Sequence, residues 1–427
     1  MKGVKFGVIT DAHIPNIETI EKNLYNALFE LKRREVDLII FAGDICDQNQ
    51  EWAYELYKTI FDSVFFESRP QILAVSGNHD LWKNVHVCDR TAVENLKKYN
   101  FQSDINTHME LNGFHFIGVT SYPYFNGKDT ELKGAVESSK RGDYTYIEEW
   151  LKAELEKACS SSEKPVFVVT HFPPKNTLPG SYLTELDGNQ MLADIFKRYP
   201  QVISISGHTH FSLYDDRSIH QRDFTSVNAG SLHCVCCTQI EKPNAEGGLA
   251  EFINLVRQPA DAYRKFPTYL YGEADEKEVR FTRLCASTNE RCGEDWRITY
   301  PVKKENFVYT DDRLGKAAPL RFAEDDFLKV FPMKNKDYFK GNSLCYALVK
   351  IPKYEGRVVG FKYILEGNGK CKEEYVYSEI DDNIAYPKVF HIIALQNLEQ
   401  GAYRMKVYAL ESFGGLSENY LETQFMV

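Results

Sequence analysis

The sequence predicts two domains of different class. An α/β layered domain is expected over residues 1–302 and an all-β domain over residues 321–427, joined by a polar linker at 303–320. Strand and helix signals alternate through the first half of the chain, whereas the last part holds only short extended runs between polar turns. With 427 residues, the chain is also too long for one ordinary hydrophobic core.

Five apolar runs rich in β-branched residues predict the strands of the first domain. Near-continuous apolar runs of this kind are typical of strands that are buried on both faces, as in parallel sheets. The five runs are Val4–Thr10, Val36–Ala42, Gln71–Ser76, Pro165–Thr170 and Val202–Ser206.

Helices are predicted between these strands. Apolar residues recur at helical spacing from Ile17 to Leu31, and Asn16 can cap the N-terminus of that helix. Three further predicted helices cover Glu51–Phe65, Tyr146–Ala158 and Met191–Lys197. This alternation indicates that helices and strands form separate layers of one domain.

A polar segment ends each of the five predicted strands. Because open α/β sheets bind ligands at the carboxyl ends of their strands, we expect these segments to converge. They are Asp11-Ala-His13, Gly43-Asp44-Ile-Cys-Asp47, Gly77-Asn78-His79-Asp80, His171 and Gly207-His208-Thr209-His210. Taken alone, Asp11 is more simply a helix cap and His171 a loop histidine. Together, carboxylates, an amide and imidazoles at five strand ends predict a metal site.

These segments, in this order, resemble the motif pattern of the calcineurin-like metallophosphoesterases over residues 1–301. The resemblance implies a four-layer α/β/β/α sandwich. It also leads us to expect that the extended runs after residue 210 complete the second sheet of that sandwich. These runs are Phe224–Val227, Ala250–Leu255, Thr268–Tyr271, Val279–Leu284 and Arg297–Thr299.

The resemblance further implies a binuclear metal centre. In the family pattern, Asp11, His13 and His210 hold the first metal, Asp44 bridges the two metals, and Asn78, His171 and His208 hold the second. The expected cofactors are two divalent metal ions, manganese or iron, with zinc as an alternative, because ligand type alone does not select the metal. The pattern makes His79 the general acid and Asp47 the carboxylate that orients its ring.

A metal pair of this kind predicts hydrolysis of phosphate esters. Two ions about 3.5–4 Å apart activate a water and hold the attacking and leaving oxygens. Gln48 and Ser76 stand where protein phosphatases of the family commonly carry arginine, so we expect a small-molecule or cyclic-nucleotide phosphodiesterase. The alternatives are a phosphomonoesterase of the same family, a nuclease, and a non-catalytic metal-bound scaffold.

Composition limits the partners and the compartment. Lys and Arg number 51 against 61 Asp and Glu, a formal net charge of −10, whereas proteins that track nucleic acid usually carry a basic surface. We therefore expect a small phosphorylated substrate.

No apolar run approaches the ~20 residues that span a bilayer. No signal peptide precedes the first strand and ten cysteines are thinly spread, so we expect a cytoplasmic protein without a membrane partner.

The second domain is predicted from extended runs at Ser343–Ile351, Val358–Leu365, Val389–Ala394 and Tyr403–Leu410. Leu398, Gly401 and Tyr403 resemble the tyrosine corner of fibronectin type III domains, which implies an immunoglobulin-like β-sandwich. No catalytic motif occurs in this part of the sequence. We expect it to be a packing module or a surface for a protein partner.

Residues close to the motifs are candidates for the rim of the pocket. His233 follows the turn Asn228-Ala-Gly-Ser231, which lies near the mouth of the metal site in the resembled family, and it is a candidate for substrate contact. The other rim candidates are Trp82, Arg90, Tyr122 and Tyr124.

Overall fold

The structure is a computed structural model that describes part of the chain. The described residues are 3–14, 18–84, 87–88, 91–100, 102, 104–121, 144–160, 163–181, 187–235, 238–243, 249–255, 267–313, 320–323, 327–336, 343–350, 354–355, 358–377, 390–395 and 398–427. The predicted cap Asn16 and the rim candidates Arg90, Tyr122 and Tyr124 lie outside them.

The chain divides into two compact units. The first comprises Met1–Cys237 and Lys265–Asp311, and the second comprises Thr238–Arg264 and Asp312–Val427. The second unit therefore includes a segment near residue 250 that the sequence analysis assigned to the first domain. We describe each unit by itself.

Among the described residues, the first unit contains all six α-helices and all of the parallel strands. The helices are α1 Glu18–Arg33, α2 Glu51–Val64, α3 Asn78–Leu81, α4 Thr91–Asn100, α5 Glu148–Ser160 and α6 Asp187–Phe196. Strands are numbered through the whole chain. Those of the first unit are β1 Val4–Ile9, β2 Leu38–Ala42, β3 Gln71–Val75, β4 Trp82–Asn84, β5 Val87–Cys88, β6 Thr107–Leu111, β7 Phe114–Gly118, β8 Val166–Val169, β9 Val202–Ser206, β10 Ile219–Gln221, β11 Thr225–Asn228, β14 Thr268–Ala274, β15 Glu278–Cys285 and β16 Trp296–Thr299.

The first sheet has the strand order β16-β15-β14-β1-β2-β3. Strands β1, β2 and β3 are parallel, so the segments that follow them meet at one edge. The expectation that β14, β15 and β16 complete the second sheet is wrong, since β14 pairs antiparallel with β1. A side chain at Gly272 of β14 would collide with the Phe6 ring of β1, so this glycine leaves space for that pairing.

The second sheet has the order β10-β11-β9-β8-β7-β6, with β7, β8 and β9 parallel. Of the five runs expected to complete it, only the one that forms β11 does so. The two sheets pack face to face, because the Phe6 ring centroid lies 5.5 Å from that of Phe116 and 5.1 Å from that of Phe167. Such edge-to-face contacts are a preferred arrangement of aromatic rings.

Helices cover the outer faces of both sheets. Leu28 of α1 and Tyr54 of α2 are buried in one core cluster with Ile39 of the first sheet. Leu155 of α5 packs in another cluster with β7, β8 and α6. The predicted four-layer α/β/β/α sandwich is therefore confirmed. None of the described helices is long and apolar enough to cross a membrane.

The predicted strands and helices agree closely with the structure. Each of the five motif-bearing strands lies within its predicted run, and β9 matches Val202–Ser206 at both ends. Helix α6 begins at Asp187, four residues before its predicted start at Met191. The apolar spacing identifies such elements well, whereas helix ends depend on local contacts.

The end of the first unit is held against β10. Gln221 Oε1 accepts hydrogen bonds from the backbone of Val308 (2.9 Å) and Tyr309 (3.0 Å). The carboxylate of Asp311 accepts from His220 Nε2 and Arg222 Nη2, both at 2.9 Å. This part of the predicted linker is thus ordered by contacts of the first unit.

The Asp311 contact predicts a pH-dependent contribution to stability. Hydrogen bonding by His220, together with the charge of Arg222, holds the pKa of Asp311 below its usual range. A carboxyl whose folded pKa is depressed stabilises the fold above its unfolded pKa of about 4, and loses this effect as the pH falls through the folded value. Asp311 is partly exposed, so we expect Asp311→Asn to lower the midpoint of thermal unfolding at pH 7 by only about 2 °C. The difference between the two proteins should shrink between pH 4 and pH 2, as measured by circular dichroism; a constant difference would contradict this account.

The second unit is built from strands in its described residues. They are β12 Gln239–Pro243, β13 Leu249–Asn254, β17 Arg321–Phe322, β18 Val330–Lys336, β19 Ser343–Lys350, β20 Tyr354–Glu355, β21 Gly360–Gly367, β22 Lys370–Tyr377, β23 Phe390–Ala394, β24 Ala402–Leu410 and β25 Leu421–Met426. The larger sheets have the orders β18-β19-β23 and β22-β21-β24-β25, all antiparallel. The predicted all-β character is confirmed for the described part of residues 321–427. The run Ala250–Leu255 contributes β13, which pairs with β12 in this unit.

Tyr403 makes the contact that its motif predicts. Its hydroxyl donates to the carbonyl oxygen of Glu399 at 3.1 Å, four residues upstream, and its ring is buried with Met405 and Val407. A hydroxyl that bonds back to the upstream backbone is the defining feature of a tyrosine corner. The narrower assignment to fibronectin type III domains stays a prediction.

Candidate metal centre

The structure brings all nine predicted site residues together at the carboxyl ends of five strands. Asp11 and His13 follow β1, Asp44 and Asp47 follow β2, Asn78 and His79 open α3 after β3, His171 follows β8, and His208 and His210 follow β9. The first three strands belong to one sheet and the last two to the other. The face-to-face packing of the sheets is therefore what joins the two halves of the site.

The backbone at the site is strained. Positive φ angles occur at Asp11 (50°), His13 (48°), Asp44 (50°), His208 (67°) and His210 (47°). Residues other than glycine rarely adopt this left-handed region, which costs of order 1–3 kcal/mol at each position. Five such residues in one cluster indicate that the fold holds these side chains in position against a local cost, as is common at functional sites.

Two glycines leave the space that the carboxylates occupy. A Cβ at Gly77 would collide with the Asp44 carboxylate, and a Cβ at Gly207 would collide with Thr10 Oγ1 and Asp11 Oδ2. At Gly207 the backbone of one sheet edge can therefore approach the side chains of the other, whereas Gly77 and Asp44 follow neighbouring strands of one sheet.

One group of donor atoms surrounds the Asp11 carboxylate. Asp11 Oδ1 lies 3.0 Å from His210 Nε2 and 3.8 Å from His13 Nε2. The two imidazole Nε2 atoms are 3.1 Å apart. Asp11 Oδ2 accepts hydrogen bonds from Thr10 Oγ1 (2.7 Å) and the backbone of His208 (3.0 Å). These contacts leave Oδ1 facing the two rings.

A second group surrounds the Asp44 carboxylate. Asp44 Oδ2 lies 3.1 Å from His171 Nε2 and 3.8 Å from His13 Nε2. Asp44 and His171 form a compact cluster with His208, with the donor atoms within 4.8 Å of one another. A further cluster joins Asp11, His13 and Asp44. Asp44 is thus common to two groups of potential metal ligands.

Hydrogen bonds at Nδ1 aim three rings into the site. His171 Nδ1 lies 2.9 Å from the carbonyl oxygen of Ala42, and His210 Nδ1 lies 3.0 Å from that of Cys234. His13 Nδ1 lies 3.3 Å from Asp47 Oδ1. Because a carbonyl or carboxylate oxygen only accepts, Nδ1 carries the proton in each ring. When such a ring is neutral, its Nε2 lone pair faces inward, which is how proteins orient metal-binding histidines.

The donor set fits a metal pair. In the neutral tautomers that a bound cation would require, the Nε2 lone pairs of His171 and His210 face carboxylate oxygens. Among the described residues, none donates a hydrogen bond to the buried Asn78 Oδ1. Asp11 and Asp44 are almost fully buried, and buried carboxylates need a compensating cation. Carboxylate and amide oxygens together with imidazole nitrogens are ligands that divalent manganese, iron and zinc accept.

The same crowding shifts the pKa values of the cluster. Burial disfavours the charge of Asp11, yet the charges of His210 and His171 outweigh it and lower the pKa of Asp11 to about 2. Burial also opposes the charge of His171, but Asp44 raises the pKa of that ring to about 9. Burial and the nearby His171 lower the pKa of His208 to about 3. The carboxylates thus stay ionised and attract positive charge into the site.

His79 lies at the open side of this cluster. Its Nδ1 lies 3.0 Å from the carbonyl oxygen of Asp47 and 3.2 Å from Asp47 Oδ1, and its ring centroid lies 4.2 Å from that of Trp82. Burial disfavours the charged ring, but the hydrogen bond of Asp47 and the charge of Asp44 raise the pKa of His79 overall. The His79 side chain remains 27% exposed.

Asp80 ties two of the ligand-bearing loops together. Its buried carboxylate accepts hydrogen bonds from the backbone of Cys46 and of Gly77, both at 2.9 Å, and from the Tyr54 hydroxyl at 3.3 Å. Burial, together with the charge of Asp44, raises the pKa of Asp80 to about 6. The loop that carries Asp44 is thereby held against the loop that carries Asn78.

Three features of the site were not foreseen from the sequence. They are the contact of Asp47 with His13, the carbonyl of Cys234 that orients His210, and Ser231, whose hydroxyl donates to the carbonyl of Asp11 at 3.1 Å. The acceptors on Cys234 and Asp11 are backbone carbonyls, which carry no residue-type signal, so sequence patterns cannot reveal these two contacts.

The ring centroid of His233 lies 5.3 Å from that of His13, beside the cluster. Trp82 is buried against His79 and does not form an exposed rim.

The fold and the site define the class. A four-layer sandwich with carboxylates, imidazoles and an amide at the carboxyl ends of both sheets is a metallophosphoesterase, a hydrolase that acts on phosphate esters. The family model of the calcineurin-like phosphoesterases matches residues 4–212, and this part of the chain belongs to that family.

Two curated relatives and one solved structure are similar to parts of this chain. A probable glycerophosphodiester phosphodiesterase from Arcobacter nitrofigilis is 27% identical over 222 residues, which cover 47% of this chain and 70% of the relative. A probable cyclic nucleotide phosphodiesterase from Rhodococcus erythropolis is 25% identical over 182 residues, 41% of this chain and 52% of the relative. A dimetal phosphatase from Danio rerio aligns with 70% of this chain and 99% of its own, with 13% identity and a TM-score of 0.48. Because that TM-score is low, the fold assignment rests on the strand order and the family model.

Proposed function

We propose that this chain is a binuclear metal-dependent phosphodiesterase that acts on small phosphate diesters, cyclic nucleotides included. The observation that carries this proposal is the position of Asp44, which belongs to two groups of potential ligands at once. A carboxylate shared in this way suits a bridging ligand between two ions.

The proposed ligand sets follow the two clusters. Asp11, His13 and His210 would hold one metal, and Asn78, His171 and His208 the other, with Asp44 between them. Manganese or iron is proposed, with zinc as the alternative, since all three accept oxygen and imidazole donors. When bound, such a pair supplies an activated water and charge stabilisation for the phosphate.

His79 is the proposed proton donor to the leaving oxygen. Asp47 accepts a hydrogen bond from Nδ1 of His79. The second proton of the charged His79 ring is therefore carried at Nε2. Loss of the Nε2 proton to the departing alkoxide would leave the ring in its neutral form, still hydrogen-bonded to Asp47. The packing of Trp82 restricts rotation of the His79 ring and keeps Nε2 in one direction.

Two observations favour diesters over monoesters. The two curated relatives described above are named as probable phosphodiesterases. Gln48 and Ser76 occupy the two positions next to the motifs where the family's protein phosphatases commonly carry arginine. An arginine fork binds a dianionic monoester well, and its absence from these positions removes that advantage.

The proposal is tested with a matched pair of substrates. We expect the Mn²⁺-loaded protein to hydrolyse bis(4-nitrophenyl) phosphate with a higher kcat/KM than 4-nitrophenyl phosphate, measured by nitrophenolate release. The Asp44→Asn protein, purified identically, reports any contaminating phosphatase. Faster monoester cleavage would replace the diesterase proposal with a phosphatase. Failure on both substrates, with two metals bound per chain, would favour the scaffold alternative.

The second unit is proposed to serve as a surface for a protein partner. Its described strands β18, β19 and β23 form a sheet with exposed apolar side chains, among them Phe331, Met333 and Ile392. Solvated faces of antiparallel sheets are normally polar, and contiguous exposed apolar residues are typical of interaction sites.

A further inference from the structure

A second histidine cluster lies away from the candidate metal centre. His108 of β6 and His115 of β7 meet across a hairpin, and Glu154 of α5 contacts the first of them. His115 pairs with Val166 at the start of β8, whereas His171 lies beyond the other end of that strand. Five residues of extended chain span about 16 Å, so the two sites are separate.

The hydrogen bonds of this cluster fix the tautomer of His108. Glu154 Oε2 accepts from His108 Nδ1, so the neutral His108 ring has a lone pair at Nε2. That Nε2 atom lies 2.9 Å from Nδ1 of His115, with the ring centroids 5.1 Å apart. Metal-binding histidines are commonly oriented in this way: the ring nitrogen that does not bind the metal donates a hydrogen bond to a carboxylate.

We propose that His108 and His115 form a binding site for a late first-row divalent cation such as Zn²⁺, with Glu154 as the carboxylate that positions His108. Zinc–nitrogen bonds of about 2.0–2.1 Å place two adjacent ligand nitrogens about 2.9–3.3 Å apart, for angles between a right angle and tetrahedral. The observed separation of 2.9 Å lies within that range, so the two nitrogens need not move apart, although the rings must turn for both lone pairs to meet at the cation.

Binding requires one shift of a proton. Before the cation binds, His115 Nδ1 donates its proton to His108 Nε2. On binding, this proton moves to Nε2 of His115 through solvent, and both facing lone pairs then coordinate the cation. No net proton is released, and Glu154 keeps its hydrogen bond from His108 Nδ1.

The surroundings are compatible with a cation. Burial, then the neighbouring His108, lower the pKa of His115, so this ring is neutral and able to coordinate at pH 7. Glu110 lies directly across the hairpin from His115 and adds negative charge. Lys157 is the opposing positive charge near His115. Imidazole suits zinc, copper and nickel, whereas manganese prefers oxygen donors, so manganese should bind this site poorly.

The site is tested by counting bound zinc. We expect the wild-type chain to hold one more Zn²⁺ after gel filtration than either His108→Gln or His115→Gln, as measured by inductively coupled plasma mass spectrometry. Glu154→Gln keeps both rings and should weaken zinc affinity 10–100-fold. His220→Gln is the matched control, since His220 is also a partly buried histidine paired with a carboxylate, but without a second imidazole. It should retain the full zinc count.

The outcomes separate this site from the proposed function. Asp44→Asn should reduce zinc at the candidate metal centre and leave the His108–His115 zinc in place, and adding His115→Gln to it should remove that zinc. Equal zinc counts in the wild-type, His108→Gln and His115→Gln proteins would overturn the proposal. So would the same loss in His220→Gln, because it would show that binding is not specific to the facing rings.

Discussion

Replacement of Asp44 by asparagine is expected to remove both metal retention and phosphoesterase activity. Asp44 is buried, and its Oδ2 faces His171 and His13 while Oδ1 accepts a hydrogen bond from the His79 backbone at 2.8 Å. Asparagine can preserve that hydrogen bond and the volume, but it lacks the charge that a bridging ligand supplies. Since charge stabilisation by a metal is worth several kcal/mol, kcat/KM should fall about 10³-fold or more.

The Asp44 experiment should record metal content, activity and folding together. Far-ultraviolet circular dichroism should stay unchanged, while the rise in unfolding temperature that Mn²⁺ gives the wild-type protein should disappear. Asp62→Asn is the control, because Asp62 pairs with Lys58 and Arg69 on the surface and should change neither quantity. Full activity in Asp44→Asn would refute the shared role of this carboxylate.

His79→Asn is expected to lower kcat by about 10²–10⁴-fold, the usual contribution of a positioned proton donor. The variant should bind the same number of metals, because neither proposed ligand set includes His79. The loss should be larger for an alkyl leaving group than for 4-nitrophenolate, since a more basic alkoxide depends more on protonation. A merely structural role would reduce both rates equally.

The measurement for His79 is a pair of kcat values with 4-nitrophenyl and alkyl diesters, alongside metal content. His220→Asn serves as the control histidine and should keep both rates. If His79→Asn loses metal instead, His79 is a ligand; if neither rate changes, the proton comes from another group. Either result would require a different assignment of the acid.

Much of the fold could be predicted because its signals are local. Buried parallel strands show in the sequence as apolar runs, and the helices between them show as apolar residues at helical spacing. The predicted bounds of β9 and α2 therefore agree closely with the observed ones. The pairing of β14 with β1 could not be foreseen, because register between distant strands depends on packing such as Phe6 against Gly272. The same applies to β13, which joins the second unit.

The donors themselves are visible in the sequence: aspartates, histidines and an asparagine, each at the end of a strand, where parallel pairing must bring them together. The arrangement of these donors depends on the folded chain. The carbonyl of Ala42 that holds Nδ1 of His171 and the approach of Gly207 to Asp11 arise where two sheets meet, and the approach of Gly77 to Asp44 arises between neighbouring strand ends. Ligand identity resides in side chains, which are visible in the sequence. Their geometry comes from backbone atoms of distant segments, which only the folded chain brings into contact.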